Sequence, residues 1–219
     1  YEGIVAENVQ FGRSTSESAP KMSAREARVS LAWRELLAGH PQVDGFVIRG
    51  GVFRLPVMDD VRPGRELVVS NIQAELRLLA RDEWVLDQLN GSLLDSRFRL
   101  SARLEHASAA KDWAFLKPDR DTASAARAAK RIRAVADALE GIVLKDHPEL
   151  VVNVQGDARD PRSFKARIET KVAAAQTPWG DFEQGDIKAH IYPSPQSSDV
   201  VASIRLNARA GNTRWGSAE

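Results

Sequence analysis

Lys165–Gly180 reads KARIETKVAAAQTPWG, and Val201–Gly216 reads VASIRLNARAGNTRWG. Thr213 follows Thr177 by 36 residues, and at that offset Ala166 aligns with Ala202, Ile168 with Ile204, Ala174 with Ala210, and Thr177-x-Trp179-Gly180 with Thr213-x-Trp215-Gly216. Each unit is a long alternating strand ending in a Thr-x-Trp-Gly corner. A fixed period of this size marks an architecture built by adding similar units along one axis, each burying its apolar face with help from its neighbours.

Outward from the repeat, period-two alternation recurs along most of the chain, the pattern of half-buried strands. Val68, Ile72, Ala74, Leu76 and Leu78 share one parity, and Phe98, Leu100, Ala102 and Leu104 alternate with Arg97, Arg99, Ser101 and Arg103. In the repeats, Ile168 and Val172 oppose Arg167, Glu169 and Lys171, while Ile204 and Leu206 oppose Ser203, Arg205 and Asn207. Less regular strands are expected near Ile4–Phe11, Ala24–Trp33, Val43–Arg49, Val52–Val57, Trp84–Leu89, Leu150–Gln155, Phe182–Tyr192 and Val200–Arg209. Turn signals at Gly50-Gly51, Arg62-Pro63-Gly64, Asn90-Gly91, Gly156-Asp157, Asp160-Pro161 and Pro193–Ser198 separate them, which predicts an antiparallel meander. Gly50-Gly51 is best explained as a bend or bulge, since glycine tolerates the φ values such kinks require.

Two helices interrupt the strands: a short one over Trp33–Ala38, closed by Gly39, and a long Ala-rich one over Thr122–Leu144, preceded by Asp119, Asp121 and Thr122 and followed by Pro148. Ile132, Val135, Leu139 and Ile142 form its apolar stripe, opposite Arg127, Lys130, Arg131, Arg133 and Asp137. At 1.5 Å per residue this helix reaches roughly 35 Å, enough to cover part of a sheet. The expected organisation is an N-terminal β unit over residues 1–110, a linker and long helix over 111–148, and repeated strands continuing the sheet over 149–219. The fold class is mainly β with α: an elongated, mostly antiparallel curved sheet, a β-groove or taco-like form, with one long covering helix and one short helix.

Composition narrows the function. The 219 residues carry 31 basic and 30 acidic side chains, so no global field marks a nucleic-acid partner, and none is expected. With no Cys, disulfides, thiolate metal sites and Cys nucleophiles are excluded. His40, His106, His147 and His190 are far apart in sequence, Asp59-Asp60 precedes a turn, and Asp157–Arg162 reads as a solvated loop with local ion pairs. No nucleophile elbow, phosphate loop or dinucleotide fingerprint occurs, so no catalytic residue, metal or cofactor is expected. The basic helix face, and Trp179 and Trp215 at the two corners, read as a solvated surface and as core plugs. No apolar run approaches the roughly 20 residues of a membrane span. Opening on Tyr1 and closing inside a repeat, the chain reads as an excerpt of a longer one.

The dry faces therefore carry the question of function. Closed on each other, they make a sandwich, a scaffold or protein-binding module. Left open on one long sheet, they need a cover, and acyl chains would suffice, because a groove of Val, Ile and Leu without convergent polar groups suits hydrocarbon. The expected lipid-lining residues are Val68, Ile72, Leu76, Leu78, Phe98, Leu100, Leu104, Ile168, Val172, Ile204 and Leu206. A hydrolase of envelope polysaccharide is the third reading, and it needs two acids brought together at a cleft.

The run from Gly3 to Gly12, Val29–Trp33 followed by Leu36-Leu37, the Ile48-Arg49-Gly50-Gly51-Val52 centre of 43–57, and Leu86–Leu93 leading into Phe98–Leu104 resemble the N-terminal region of AsmA-like proteins. The resemblance covers the first half of the chain in order. It implies a bacterial envelope protein with a periplasmic β-rich body, held at the inner membrane by a segment outside this chain and related to β-groove proteins that carry phospholipids between membranes. It implies phospholipid acyl chains as partners, with membrane or envelope proteins beside them, and brings no catalytic residues. The expected function is non-catalytic, in phospholipid transfer or outer-membrane assembly.

Overall fold

The computed structural model describes residues 3–11, 20–32, 35, 37–40, 42–58, 62–94, 96–112, 122–178, 180–194, 200–213 and 216–218, the side chains of 112, 122–128, 131, 161, 200, 213, 217 and 218 excepted. Strands β1 (Ile4–Phe11), β2 (Lys21–Leu31), β3 (Val43–Pro56), β4 (Glu66–Leu79), β5 (Glu83–Leu93) and β6 (Ser96–Glu105) follow one another as antiparallel neighbours. The chain then passes through a 3-10 turn (Ala107–Asp112), helix α1 (Thr122–Glu140) and the two-residue β7 (Val143–Leu144) to β8 (Glu149–Asp157). Strands β9 (Asp160–Thr177), β10 (Gly180–Pro193), β11 (Val200–Asn207), β12 (Ala210–Thr213) and β13 (Gly216–Ala218) complete, among the described residues, a single thirteen-stranded sheet. The sheet is open and curved, with β1 at one end and β11 and β13 at the other.

The expected meander holds on either side of one interruption. Strand β8 lies beside β6 and parallel to it, Phe98 opposite Leu150 and Leu100 opposite Val152. A parallel neighbour requires a crossover rather than a hairpin, and the segment containing α1 supplies it. Helix α1 stops at Glu140, short of the expected Leu144, because Val143 and Leu144 pair with Gln176 and Ala175 of β9. Of the expected short helix, Glu35 and Leu37 are helical, whereas Trp33, Arg34 and Leu36 lie outside the described residues, as do Asp59, Asp60, Trp179 and Trp215.

The expected turns at Gly50-Gly51 and Asn90-Gly91 lie inside longer strands, the first of them as a bulge. Gly50-Gly51 does not separate two strands: β3 runs through it, with Gly50 at φ 62° and a register shift between Ile48 and Gly51. Asn8 in β1 and Asn71 in β4 also have positive φ, 52° and 54°. An extra residue reverses the alternation beyond it, so the apolar set moves from one parity to the other while staying on one face. In β3 the apolar set is Phe46 and Ile48, then Gly51, Phe53 and Leu55. In β4 it is Leu67 and Val69, then Ile72, Ala74 and Leu76. Val68, expected beside Ile72, instead pairs with Arg54 on the opposite face, because the bulge at Asn71 lies between them. Strand β5 likewise continues through Asn90-Gly91, with its bulge between Leu86 and Leu89.

The sequence repeat is also a spatial one. Strand β10 is flanked by β9 on one edge and by β11 and β12 on the other. Ala189 faces Ile168 and Ile204, Ile187 faces Thr170 and Leu206, and Gly180 faces Thr177 and Thr213. Each pair of flanking residues is separated by the 36-residue offset of the sequence. The residues flanking both corners pair, Thr177 opposite Gly180 and Thr213 opposite Gly216. Gly180 and Gly216 adopt φ of 151° and 153°, a backbone region that side chains disfavour, which explains glycine in both corners. The Thr177 hydroxyl donates to the Gly180 carbonyl at 2.8 Å and accepts from the Gly180 amide at 3.2 Å.

Helix α1 rests on the margin of the sheet. Ile132, Ala136 and Leu139 pack on Leu55, Val57 and Leu67, at the β3–β4 end of the apolar face. Val135, expected in that stripe, is 54 % exposed. Asp137, expected on the solvated side, lies 2.8 Å from Arg62 and 2.6 Å from Arg65, and Glu140 lies 3.0 Å and 2.7 Å from the same two residues. Hydrogen bonding from Arg65 lowers the pKa of both carboxyls.

Candidate functional site: a continuous apolar face

Residues paired across strands stand on the same face of a sheet, so the register traces rows of side chains across the molecule. One row comprises Ile4, Val29, Phe46, Leu76, Leu86, Ala102, Val154, Ala166, Ile191 and Ala202. The next comprises Ala6, Ala27, Ile48, Ala74, Leu89, Leu100, Val152, Ile168, Ala189 and Ile204. Each row crosses ten strands without a polar side chain. At about 4.8 Å between strands, a row extends ~43 Å.

Among the described residues no second sheet lies over these rows, and no large side chain is fully buried. The buried apolar residues are mostly alanines, and Ile204 and Leu206 are 70 % and 52 % exposed. Ten of the eleven expected lining residues fall on this face: Ile72, Leu76, Leu78, Phe98, Leu100, Leu104, Ile168, Val172, Ile204 and Leu206. Val68 does not. Sequence reading missed Phe46, Leu86, Leu89, Val152, Val154, Ile187 and Ile191, although continuous alternation in β8 and β10 would have found the last four. Phenylalanines shield backbone on this face as well. A Cβ on Gly91 would meet the Phe98 ring at 2.7 Å, and one on Gly156 the Phe164 ring at 2.7 Å.

The opposite face is ionic. Arg77 and Asp87 pair at 2.6 Å, Arg99 and Glu149 at 3.0 Å, Arg103 and Glu83 at 2.5 Å, and Arg167 bonds Glu169 at 2.6 Å. Hydrogen bonding from Arg77 lowers the Asp87 pKa. A depression of about 680 Å³ crosses β5, β6, β8, β9 and β10 on this side, lined by Arg103, Asn153, Lys165, Arg167, His190 and Tyr192 among others. Its two arginines already hold Glu83 and Glu169, so it offers a solvated ionic surface rather than an acid–base pair.

One cluster that sequence spacing did not reveal is Glu105, His106 and Asp157, whose ligand atoms lie within 4.8 Å of one another. His106 Nδ1 is 3.0 Å from Asp157 Oδ2. Arg159, however, bonds both Asp157 oxygens, at 3.3 Å and 3.0 Å, and its backbone amide adds a third bond at 2.9 Å. A cation there would have to displace the guanidinium, so the cluster is an ion-paired loop, as expected for 157–162. Arg159 is the main cause of the low Asp157 pKa, about 2 against an ordinary 3.8. Because the folded value is depressed, this contribution to stability is full above pH ~4 and is lost as pH falls towards 2. Urea midpoints measured from about pH 6 to about pH 2 should decline over that window, and Asp157→Asn should flatten the decline.

No family model, curated protein or solved structure matches the chain. No helix among the described residues is long and apolar enough to cross a membrane.

Proposed function

We propose that this chain is a non-catalytic part of an AsmA-like bacterial envelope protein that carries phospholipid acyl chains along the apolar face of its sheet, in phospholipid transfer or outer-membrane assembly. The observation that carries this reading is the pair of uninterrupted apolar rows across ten strands, with no second layer over them among the described residues. An exposed apolar surface of this extent marks an interaction site, and one without convergent polar groups favours hydrocarbon over a stereospecific ligand. The curved sheet is the wall of the groove, taco-like in section, and α1 covers its β3–β4 end. The resemblance of the N-terminal half to AsmA-like proteins adds the periplasm as the compartment, an inner-membrane anchor outside this chain, and envelope proteins as further partners.

The test is native mass spectrometry of the protein purified without detergent, with lipid extraction of the same sample. Phospholipid at a reproducible stoichiometry is the expected result. A stable lipid-free monomer would overturn this reading in favour of a β-rich scaffold that binds protein.

A further inference from the structure

The depression of about 680 Å³ on the ionic face is a trough with two walls. Arg103, Gln155 and Lys165 are paired neighbours on β6, β8 and β9, and Tyr192 continues that wall on β10. Ser101, Asn153, Arg167 and His190, paired neighbours on the same four strands, form the other wall. Between them the floor is the backbone of Ala102, Val154, Ala166 and Ile191, which belong to the apolar row on the opposite face. Positions two residues apart on a strand are separated by about 6.7 Å, and four adjacent strands make the trough ~14 Å long. Each of these strands is paired on both edges, so the walls stand on the interior of the sheet.

The charge of the trough is one-sided. From β6 to β10 its walls carry Arg103, Lys165 and Arg167, with His190 beside them. Among the described residues the one carboxylate in the lining is Asp87, at the β5 end, and Arg77 holds it at 2.6 Å. Glu83 and Glu169, outside the trough, bind Arg103 and Arg167. A guanidinium has five N–H donors, so these contacts orient it and leave donors over. Lys165, His190 and Tyr192 make no hydrogen bond or ion pair among the described residues.

We infer that this trough binds a short acidic oligosaccharide lying across the strands, with its anionic group between Lys165 and Arg167. Those two side chains stand on either side of Ala166, where a carboxylate or phosphate meets both. The amides of Asn153 and Gln155 and the hydroxyls of Ser101 and Tyr192 can each donate and accept, as a run of sugar hydroxyls requires. The volume is in the range of small-ligand sites and exceeds what one inorganic anion fills. Other anions fit less well. An extended peptide is held by backbone bonds at a sheet edge, and this is a sheet face. A nucleic acid stacks successive bases on several aromatic rings, and the lining has one, Tyr192. The site lies across the sheet from the acyl-chain surface and does not rest on lipid carriage.

The probe is tetragalacturonate, titrated calorimetrically against the whole chain at neutral pH and physiological salt, with maltotetraose as its uncharged counterpart and tetraglutamate as an anion without sugar rings. Tetragalacturonate is expected to bind at least about tenfold more tightly than either. Lys165→Glu should weaken it by more than about tenfold. Lys171→Glu makes the same charge change on the same face of β9 about 20 Å away, beyond the ~8 Å screening length, and should shift the affinity by less than about twofold. Both lysines are exposed, so the variants keep their fold, which thermal melts verify. Failure of tetragalacturonate to bind would overturn the proposal. Equal affinity for tetraglutamate would overturn the choice of a sugar, and equal losses in the two variants would replace the trough with a diffuse field.

Discussion

Leu100→Glu is expected to yield a folded protein that no longer carries phospholipid. Leu100 stands mid-row, with Leu89 on one side and Val152 on the other, and it is half-buried on the apolar face. On an open face a carboxylate can remain in water, so the fold survives. Beneath an acyl chain it would have to be desolvated without a partner, at a cost of at least a few kcal/mol. Lipid co-purifying with the variant should therefore fall by more than about tenfold. Arg97→Gln, which lowers the charge by the same one unit on the ionic face of the same strand, should retain lipid. If Leu100→Glu unfolds the domain, the face is a packed core; if both variants keep their lipid, the hydrocarbon lies elsewhere.

The second large effect concerns the helix. Ala136 is fully buried where α1 meets Val57 and Leu67. Ala136→Asp places an unpaired charge in that contact, which should cost about 3 kcal/mol and release α1 from the sheet. Ala134→Asp, two residues earlier on an exposed position, should stay within roughly 0.5 kcal/mol of the parent. Hydrogen exchange separates undocking from global unfolding: amides of α1 and of the β3–β4 end should lose protection, while β9 and β10 keep theirs. Equal behaviour of the two variants would show that the helix adds nothing to the sheet margin.

How much of this was legible in the sequence depended on whether alternation ran unbroken. In β6 every second residue from Phe98 to Leu104 is apolar and no bulge intervenes, so both faces could be assigned directly. In β3 and β4 the period is interrupted at Gly50 and Asn71. A reader of parity alone then splits one strand in two at Gly50-Gly51 and assigns Val68 to the wrong face. The β6–β8 pairing was hidden for a different reason. Parallel neighbours are separated by a crossover, and nothing in the local composition of β8 distinguishes it from the next strand of a meander. The repeat was the strongest signal, because a shared corner fixes register and its offset recurs in the pairing of β10. The approach of Glu105, His106 and Asp157 depends on how distant strands end near one another, which no spacing encodes.

The pairing of β10 with two copies of one unit also makes chain length a measure of span. Each 36 residues contributes one strand out and one strand back, and two strands widen a sheet by about 9–10 Å. A protein assembled this way sets the distance it bridges by the number of units it contains, in steps of that size. Gain or loss of one unit would change reach while leaving the character of the surface unaltered.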